Sequence, residues 1–342
     1  PSIGLTSDWQ RHEFEMNAGA AILRHDTYDS EDVEDYWINA SGQFDYAKQG
    51  YLFGGAAYSQ EHEDRGSPES AQLGSSPTQY ESTRGHLGLS QTFKKWTFRA
   101  GGTAETLSFD DSAPISNADR DRDMFGAGLR VTYRMNSRFA VYGEGIWDKR
   151  DYQSALDDLG FARDSDGYRA GMGVQTRITN RLHADAYLGY LEQNYSDSRF
   201  DTIYKPDFSA RVRFLPSPLS MLTARISRSL EETTLPLSPG YLSTSYSMAA
   251  KHRFSQRLTA NIGMAFATVD FVGVDRSDDF WTASASADYQ ITRNIHLQAA
   301  YRHHVRDASI EAEVNNPANP QFLEDYARDQ FSVSLAADLY PI

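Results

Sequence analysis

The chain has 342 residues, of which 23% are charged and 13% aromatic, with no cysteine and a formal net charge of −14. No run approaches the ~18 to 20 consecutive apolar residues of a membrane-spanning helix, so the sequence excludes a helical membrane protein. The mean hydropathy of −0.59 fits a soluble protein, but a soluble β-sandwich would seldom need 20 Tyr, 18 Phe and 5 Trp. High aromatic content combined with alternation indicates a β-barrel that has lipid on its outside.

Alternating segments follow one another from "EFEMNAGAAIL" near the N-terminus to "QFSVSLAADLYPI" at the C-terminus, and they number about sixteen. The first residues, "PSIGLTSDW", also alternate. Counted as a strand, they would require one more strand before Pro1, because such barrels close with an even strand number. We therefore expect an all-β, transmembrane, antiparallel up-and-down barrel of sixteen to eighteen strands. Residues 1–342 form its single domain, which lacks an N-terminal strand if the first segment is counted.

The connections between these segments alternate in length. Short turns occur in "TFKKWTF", "RMNSRF", "RITNRLH", "FLPSPLSM", "RFSQRLT" and "QITRNIH". Longer polar connections include "EHEDRGSPESAQLGSSPTQYE", "FDDSAPISNADRDRD", "DKRDYQSALDDLGFARDSD" and "EAEVNNPANPQFLED". This asymmetry is typical of bacterial outer-membrane barrels, so we expect the short turns to face the periplasm and the long loops to face the outside.

The stretch "RVTYRMNSRFAVYGEGIW", residues 130–147, shows how the two faces of the barrel are assigned. Leu129, Val131 and Tyr133 are spaced by two and share one face of a strand, which leaves Arg130 and Arg134 on the other. An arginine on the lipid face at mid-membrane depth costs ~2 to 4 kcal/mol. The arginines must therefore point inward and the apolar set outward.

The same alternation assigns both faces along the chain. The residues predicted to face lipid are Phe208, Val212, Trp281, Val333 and Leu335. The residues predicted to line the pore are Arg99, Arg130, Arg134, Arg169, Arg177, Arg211, Arg213, Arg225, Arg253, Arg302 and Arg306, with Glu144 and Asp185 among the acidic partners. Arginine outnumbers acid in this set, which favours an anionic or polyhydroxylated solute. The alternative is that each arginine pairs with a carboxylate and braces the wall.

Motifs for catalysis or metal binding are not evident in the sequence. The nine histidines show no HExxH or similar ligand spacing, and no Ser, His and Asp residues form a recognisable nucleophile, base and orienter set. We therefore predict no catalytic residue, no metal and no cofactor. The acidic loops "YDSEDVEDY" and "DDSAPISNADRDRD" could bind divalent cations that bridge lipopolysaccharide, or they could simply be solvated.

The series "LTSDWQRHEFEM", followed by "DYWINASGQFDYAKQGYLFGGAAYSQEHEDRGSPES", resembles the type 2 outer-membrane beta-barrel porin family. The most distinctive part is Tyr58 to Glu69, where a strand ends in an acidic turn with arginine, glycine and proline. The similarity continues diffusely to the C-terminus. It implies a link with bacterial exopolysaccharide secretion, passage of a sugar polymer without chemistry on it, and a further strand before "PSIGLTSDW".

These observations predict an integral protein of the Gram-negative outer membrane that exports an exopolysaccharide through a passive, relatively arginine-rich conduit. Two alternatives remain open: a diffusion or substrate-specific porin for small anionic solutes, and a plugged structural or surface barrel. The expected partners are the lipid bilayer, lipopolysaccharide, the exopolysaccharide cargo, and a periplasmic export lipoprotein or other secretion component. Nucleic acid is not an expected partner.

Overall fold

A computed structural model describes residues 1–64, 76–112, 116–233, 235, 237–310 and 325–337. The distinctive segment Tyr58 to Glu69 is therefore described only as far as Asp64, and most of the connection "EAEVNNPANPQFLED" lies outside the described residues. No helix in the described part of the chain is long and apolar enough to span a membrane.

Seventeen strands make up the described structure, joined by turns, loops and two single-turn 3-10 helices. The strands are β1 (Ser2–Thr6), β2 (Glu13–Leu23), β3 (Val33–Ala47), β4 (Gly50–His62), β5 (Gln79–Phe93), β6 (Trp96–Phe109), β7 (Arg122–Arg134), β8 (Phe139–Tyr152), β9 (Ser165–Thr179), β10 (Leu182–Tyr195), β11 (Ile203–Ser217), β12 (Ser220–Glu231), β13 (Tyr241–Arg253), β14 (Leu258–Phe271), β15 (Arg276–Gln290), β16 (Ile295–Ile310) and β17 (Tyr326–Ala337). The expectation of sixteen to eighteen strands is confirmed.

Each strand pairs antiparallel with the next one along the chain, from β1–β2 to β16–β17. The connections that follow the odd-numbered strands from β3 to β15 are short, as at Lys48–Gln49 and Lys94–Lys95. Lys94 has a positive φ of 54°, a backbone conformation found in two-residue hairpin turns. The connections that follow the even-numbered strands include all the long ones, so the two ends of the sheet differ in the way the sequence indicated.

The sheet curls around so that strands distant in sequence meet. The guanidinium of Arg328 in β17 lies 3.5 Å from the carboxylate of Asp64, two residues after β4. These strands are thirteen spacings apart in the sheet, which at ~4.8 Å per spacing would separate them by roughly 60 Å if the sheet were flat. The contact therefore requires a strongly curved, barrel-like sheet with an inner and an outer face.

The outer face carries two bands of aromatic side chains. Trp147 and Phe139 lie at the two ends of one apolar stretch of β8, and Trp281 and Tyr289 do so in β15. Each pair is eight residues apart, or roughly 26 Å along a strand. A tilted strand then places the bands about as far apart as the edges of the apolar belt of an outer-membrane barrel.

The end of β12 and the start of β13, next to the connection between these two strands, bend away from the barrel wall. Strand pairing between β11 and β12 is described only as far as Ser209 and Ser227. By register, Leu242 shares the outward face with Met248, yet it packs against Leu191 and Ile203, which lie on the inner face of β10 and β11. This contact is possible only if the end of the β12–β13 hairpin turns into the lumen.

Candidate functional site

The strand register assigns the predicted residues to the two faces of the sheet. Every residue predicted to line the pore lies on one face, which also carries Tyr142 and Tyr187. Phe208, Val212, Trp281, Val333 and Leu335 lie on the opposite face. Trp281, Val333 and Leu335 are well exposed there, whereas Phe208 is half-buried, with the Arg228 guanidinium 4.8 Å from its ring centre. That the first set contacts a solute stays a prediction.

Arg130 belongs to a cluster on β7, β8 and β10. Its Nε donates to the Glu144 carboxylate at 2.5 Å, and its guanidinium lies 4.4 Å from the centre of the Tyr142 ring. The Tyr142 hydroxyl in turn donates to Asp185 at 3.1 Å. Because its charge is neutralised by a neighbour, Arg130 fits the alternative in which an arginine braces the wall.

The ring of Tyr142 lies flat on the wall. Its centre is 6.5 Å from the centre of the Tyr187 ring, and the two ring planes are parallel to within 6°. Gly173 of β9 lies between these two strands and directly beneath Tyr142, so a Cβ at this position would overlap the ring. Gly88 supports Phe53 in the same way, and the guanidinium of Arg99 lies 4.3 Å from the Phe53 ring centre. The inner face therefore presents aromatic rings beside arginines, an arrangement that suits contacts with sugar rings.

A second group of arginines is exposed and has no carboxylate partner. Arg211 and Arg213 of β11 and Arg225 of β12 are exposed on the inner face, and within the described ranges none of the three forms an ion pair. Lys251 and Arg253 of β13 share this situation. These strands form an arc of wall whose positive charge is available to a solute.

Arg306 differs from the other predicted residues because it is only 1% exposed. Its guanidinium donates to Asp278 at 2.5 Å, and Arg276 donates to the same carboxylate oxygen at 2.8 Å. A side chain enclosed in this way cannot contact a passing solute in this conformation. Arg306 stabilises the wall between β15 and β16 instead.

The described residues of the connection between β12 and β13, which are 232, 233, 235 and 237–240, contact the inside of the barrel. Glu232 accepts hydrogen bonds from Arg150 and from the Tyr152 hydroxyl on the inner face of β8. Three residues later, Leu235 packs against Val269 and Phe271 on the inner face of β14. The described residues of this segment, which we call the crossing loop, therefore lie inside the lumen on the long-loop side, between the inner faces of β8 and β14.

Arg163, in the loop between β8 and β9, fastens the crossing loop. It is 1% exposed and its Nε donates to Asp157 at 2.8 Å. Its other nitrogens donate to the backbone carbonyls of Thr233, Leu235 and Ser238. A buried guanidinium that satisfies three carbonyls and one carboxylate holds the crossing loop in one position.

A third loop joins this assembly. Phe200, in the loop between β10 and β11, stacks on Phe161 with ring centres 5.1 Å apart. In the same loop Arg199 donates to Asp197, and this contact lowers the pKa of the Asp197 carboxyl, with help from the backbone N–H groups of Arg199 and Ala162. Three loops are thus locked together over one side of the lumen.

Another part of the inner wall holds a cavity of about 600 Å³. It lies on the inner face of β4, β5 and β6, and its lining includes Glu61, Glu63, Asp64 and Glu105. Tyr80 donates to Glu61, and both Ser82 and Arg84 donate to Glu105. Among the described residues no group of three or more His, Asp or Glu side chains is placed to hold a metal ion.

Sequence reasoning did not identify Phe53, Glu232 or Arg163 as important. Phe53 could have been found, because it falls at an inward position between Leu52 and Gly54. Glu232 and Arg163 lie in loops, where alternation gives no information. Their roles depend on how the loops fold back into the barrel.

Solved structures of similar shape are outer-membrane receptors and transporters. The FrpB iron transporter from Neisseria meningitidis (F5-1 variant) aligns over 98% of this chain and 65% of its own, with 8% identity and a TM-score of 0.60. FpvA from P. aeruginosa aligns over 99% of this chain and 57% of its own, with 9% identity and a TM-score of 0.52. The alcaligin outer-membrane receptor FauA from Bordetella pertussis aligns over 99% of this chain and 62% of its own, with 12% identity and a TM-score of 0.50.

At these identities the likeness shows the fold alone, and the chain spans less than two thirds of the length of each of these proteins. No curated protein sequence matches the chain significantly. A family model described as "Putative beta-barrel porin 2" matches residues 1–319. The aromatic bands, the curved antiparallel sheet and this match agree, and the chain is an integral outer-membrane protein that belongs to this beta-barrel porin family.

Proposed function

We propose that this barrel exports an exopolysaccharide across the outer membrane as a passive conduit. The observation that carries the proposal is the inner face itself, where exposed arginines without carboxylate partners lie near flat aromatic rings. Arginines offer charge-assisted hydrogen bonds to carboxylate or other anionic substituents, and the rings offer faces to sugars. Many weak contacts of this kind let a polymer move, whereas one tight site would trap it.

The crossing loop supports an exporter over an open diffusion pore. Its contacts with β8 and β14 narrow the lumen on the long-loop side, while the half near the short turns keeps its exposed arginines. A conduit that opens when polymer arrives would need such a movable closure. In this proposal the contacts of Glu232 with Arg150 and Tyr152 hold the crossing loop against β8, and those of Arg163 hold it against the neighbouring loop.

A porin for small anionic solutes is the second candidate, favoured by the same unpaired arginines and by membership of a porin family. The two candidates differ in what the wild-type barrel conducts. An exporter closed by the crossing loop passes little current until the loop is released, whereas a diffusion porin conducts as purified.

Glu232→Ala tests this difference in planar bilayers. We expect low conductance for the wild type and a measurable increase for Glu232→Ala, because the substitution removes the contacts of the crossing loop with β8 while those of Arg163 remain. Glu231→Ala is the matched control, since Glu231 is the adjacent exposed carboxylate. High wild-type conductance that neither substitution changes would favour the diffusion porin.

Secretion measures the proposed cargo directly. In a strain that makes the polymer, replacing Arg211, Arg213 and Arg225 with glutamine should lower the polymer in the medium and raise it in the periplasm. Heat stability of the purified variant serves as the folding control. Normal secretion by a correctly folded triple variant would contradict export along this wall.

A further inference from the structure

Charge on the inner face is divided between two opposite walls of the barrel. In β2, β3 and β4 the inward positions carry Glu13, Glu15, Asp35, Asp45 and Glu61, and they carry no lysine or arginine. In β11, β12 and β13 the inward positions carry Lys205, Arg211, Arg213, Arg225, Lys251 and Arg253, against two acids, Asp207 and Glu231. We call these the acidic wall and the basic wall.

The topology places the two walls across the lumen from each other. The centres of the walls, β3 and β12, are nine strands apart in a sheet of seventeen. Because the sheet curls until Arg328 of β17 meets Asp64 beyond β4, nine strands correspond to about half of the circumference. The walls therefore face one another across the barrel.

Several of these charges lie at the same end of the barrel. Glu13 and Glu15 begin β2, and Asp45 is close to the Lys48–Gln49 turn. Arg213 and Lys251 are similarly close to the short turns that follow β11 and β13. This is the half of the lumen that the crossing loop leaves free.

Neither wall neutralises itself. The basic-wall residues Arg211, Arg213 and Arg225 form no ion pair in the described structure, and neither do Glu13 and Glu15. On the strands between the walls the charges are paired locally, as Arg84 is with Glu105 and Arg130 with Glu144. Fixed opposite charges on facing walls with low-dielectric protein behind them produce a field directed across the lumen.

We propose that this transverse field selects a zwitterionic polymer, one whose sugars carry both ammonium and carboxylate groups. Such a chain turns its carboxylates toward the basic wall and its ammonium groups toward the acidic wall. A purely anionic chain gains contacts on one wall and is repelled by the other. The inference rests on the proposed function and specifies the charge class of its cargo.

The test compares two tetrasaccharides with one backbone. A hyaluronan tetrasaccharide is anionic, and its N-deacetylated form carries the same carboxylates together with free ammonium groups. Calorimetric titration of the full chain in detergent at low salt measures binding at the half near the short turns, so no opening of the crossing loop is needed. We expect the zwitterionic form to bind several times more tightly, since each exposed ion pair contributes roughly twofold to fivefold.

Variants of each wall separate the contributions. Replacing Glu13 and Glu15 with glutamine and Asp45 with asparagine should abolish the preference while leaving binding of the anionic form unchanged or stronger. Replacing Arg211, Arg213 and Arg225 with glutamine should weaken binding of both forms. Arg302→Gln on β16, which belongs to neither wall, is the matched control and should keep the preference.

Equal affinity of the wild type for the two tetrasaccharides would overturn the transverse-field proposal, and so would a preference that survives neutralisation of the acidic wall. Binding of the anionic form in either case would leave the export function standing. Loss of secretion in the basic-wall variant, measured separately, distinguishes failure of the cargo class from failure of export.

Discussion

Arginine occupies three environments in this chain, and each gives substitution a different consequence. Arg163 is enclosed and satisfies the carboxylate of Asp157 and three backbone carbonyls. Arg130 is half-exposed and neutralised by Glu144. Arg211 is exposed and has no ion-pair partner among the described residues. The first stabilises the loops, the second braces the wall, and the third is available to a solute.

Arg163→Ala should destabilise the protein strongly, because it leaves Asp157 as a buried charge without its partner. Breaking a buried ion pair costs about 3 to 5 kcal/mol, measured here as the free energy of unfolding in denaturant with lipid vesicles. Arg199→Ala is the control and should cost less, since Arg199 is half exposed and Asp197 keeps the hydrogen bonds from the backbone N–H groups of residue 199 and Ala162. Similar small losses for both variants would show that Arg163 does not hold the loops.

The lowered pKa of Asp197 makes the loop assembly sensitive to acid. The folded pKa lies below the ordinary value of 3.8 because of the hydrogen bonds from Arg199 and from two backbone N–H groups. The stabilisation is therefore present above pH 3.8 and is lost as the pH falls through the folded pKa. Conductance should rise as the pH is lowered below 3.8, and Asp197→Asn should conduct at neutral pH as well. A pH-independent current in the wild type would contradict this role.

At the scale of the elements, the β12–β13 hairpin shows where sequence reasoning succeeds and fails. Alternation correctly predicts β12, which follows the short turn in "FLPSPLSM", and the register of β13 places Met248 on the outer face. It assigns Leu242 to the same face, whereas the structure packs Leu242 against Leu191 and Ile203. A period of two shows on which face of the sheet a side chain lies. It does not show whether the strand bends out of the barrel wall. The crossing loop and its contacts could not be predicted for this reason.

Leu242→Ala tests the inward bend. Removing a packed leucine should cost about 2 to 5 kcal/mol of unfolding free energy through lost transfer energy and a cavity. Met248→Ala, at the same face by register but 69% exposed, should cost less because lipid fills the space. Equal costs in a vesicle unfolding assay would place Leu242 against lipid.

At the scale of the whole molecule, the fold was largely predictable. The number of strands, the antiparallel order and the alternation of short and long connections all follow from apolar alternation and turn residues. The inward charges were predictable as a set, but their division between two walls needed the register and the curvature. That division places Glu15 and Arg211 on opposite sides of one lumen.

Membrane orientation has a direct test in cysteine labelling of intact cells. A cysteine at Ala155, which is exposed in the long loop between β8 and β9, should react with an impermeant maleimide. A cysteine at Asn180, in a short turn, should not react until the outer membrane is permeabilised. Asp157 is unsuitable because its side chain is only 1% exposed. Labelling at Asn180 alone would invert the barrel.

Ion selectivity tests the central claim, that the lumen is a basic conduit, most directly. The measurement is the reversal potential in a planar bilayer under a salt gradient, made in the Glu232→Ala background, which lacks the contacts of the crossing loop with β8. Exposed arginines without ion-pair partners should give a preference for anions. Replacing Arg211, Arg213 and Arg225 with glutamate should shift the reversal potential toward that of a cation-selective channel. The unfolding temperature of this variant should stay close to that of the parent. An unchanged reversal potential in a folded triple variant would contradict the account.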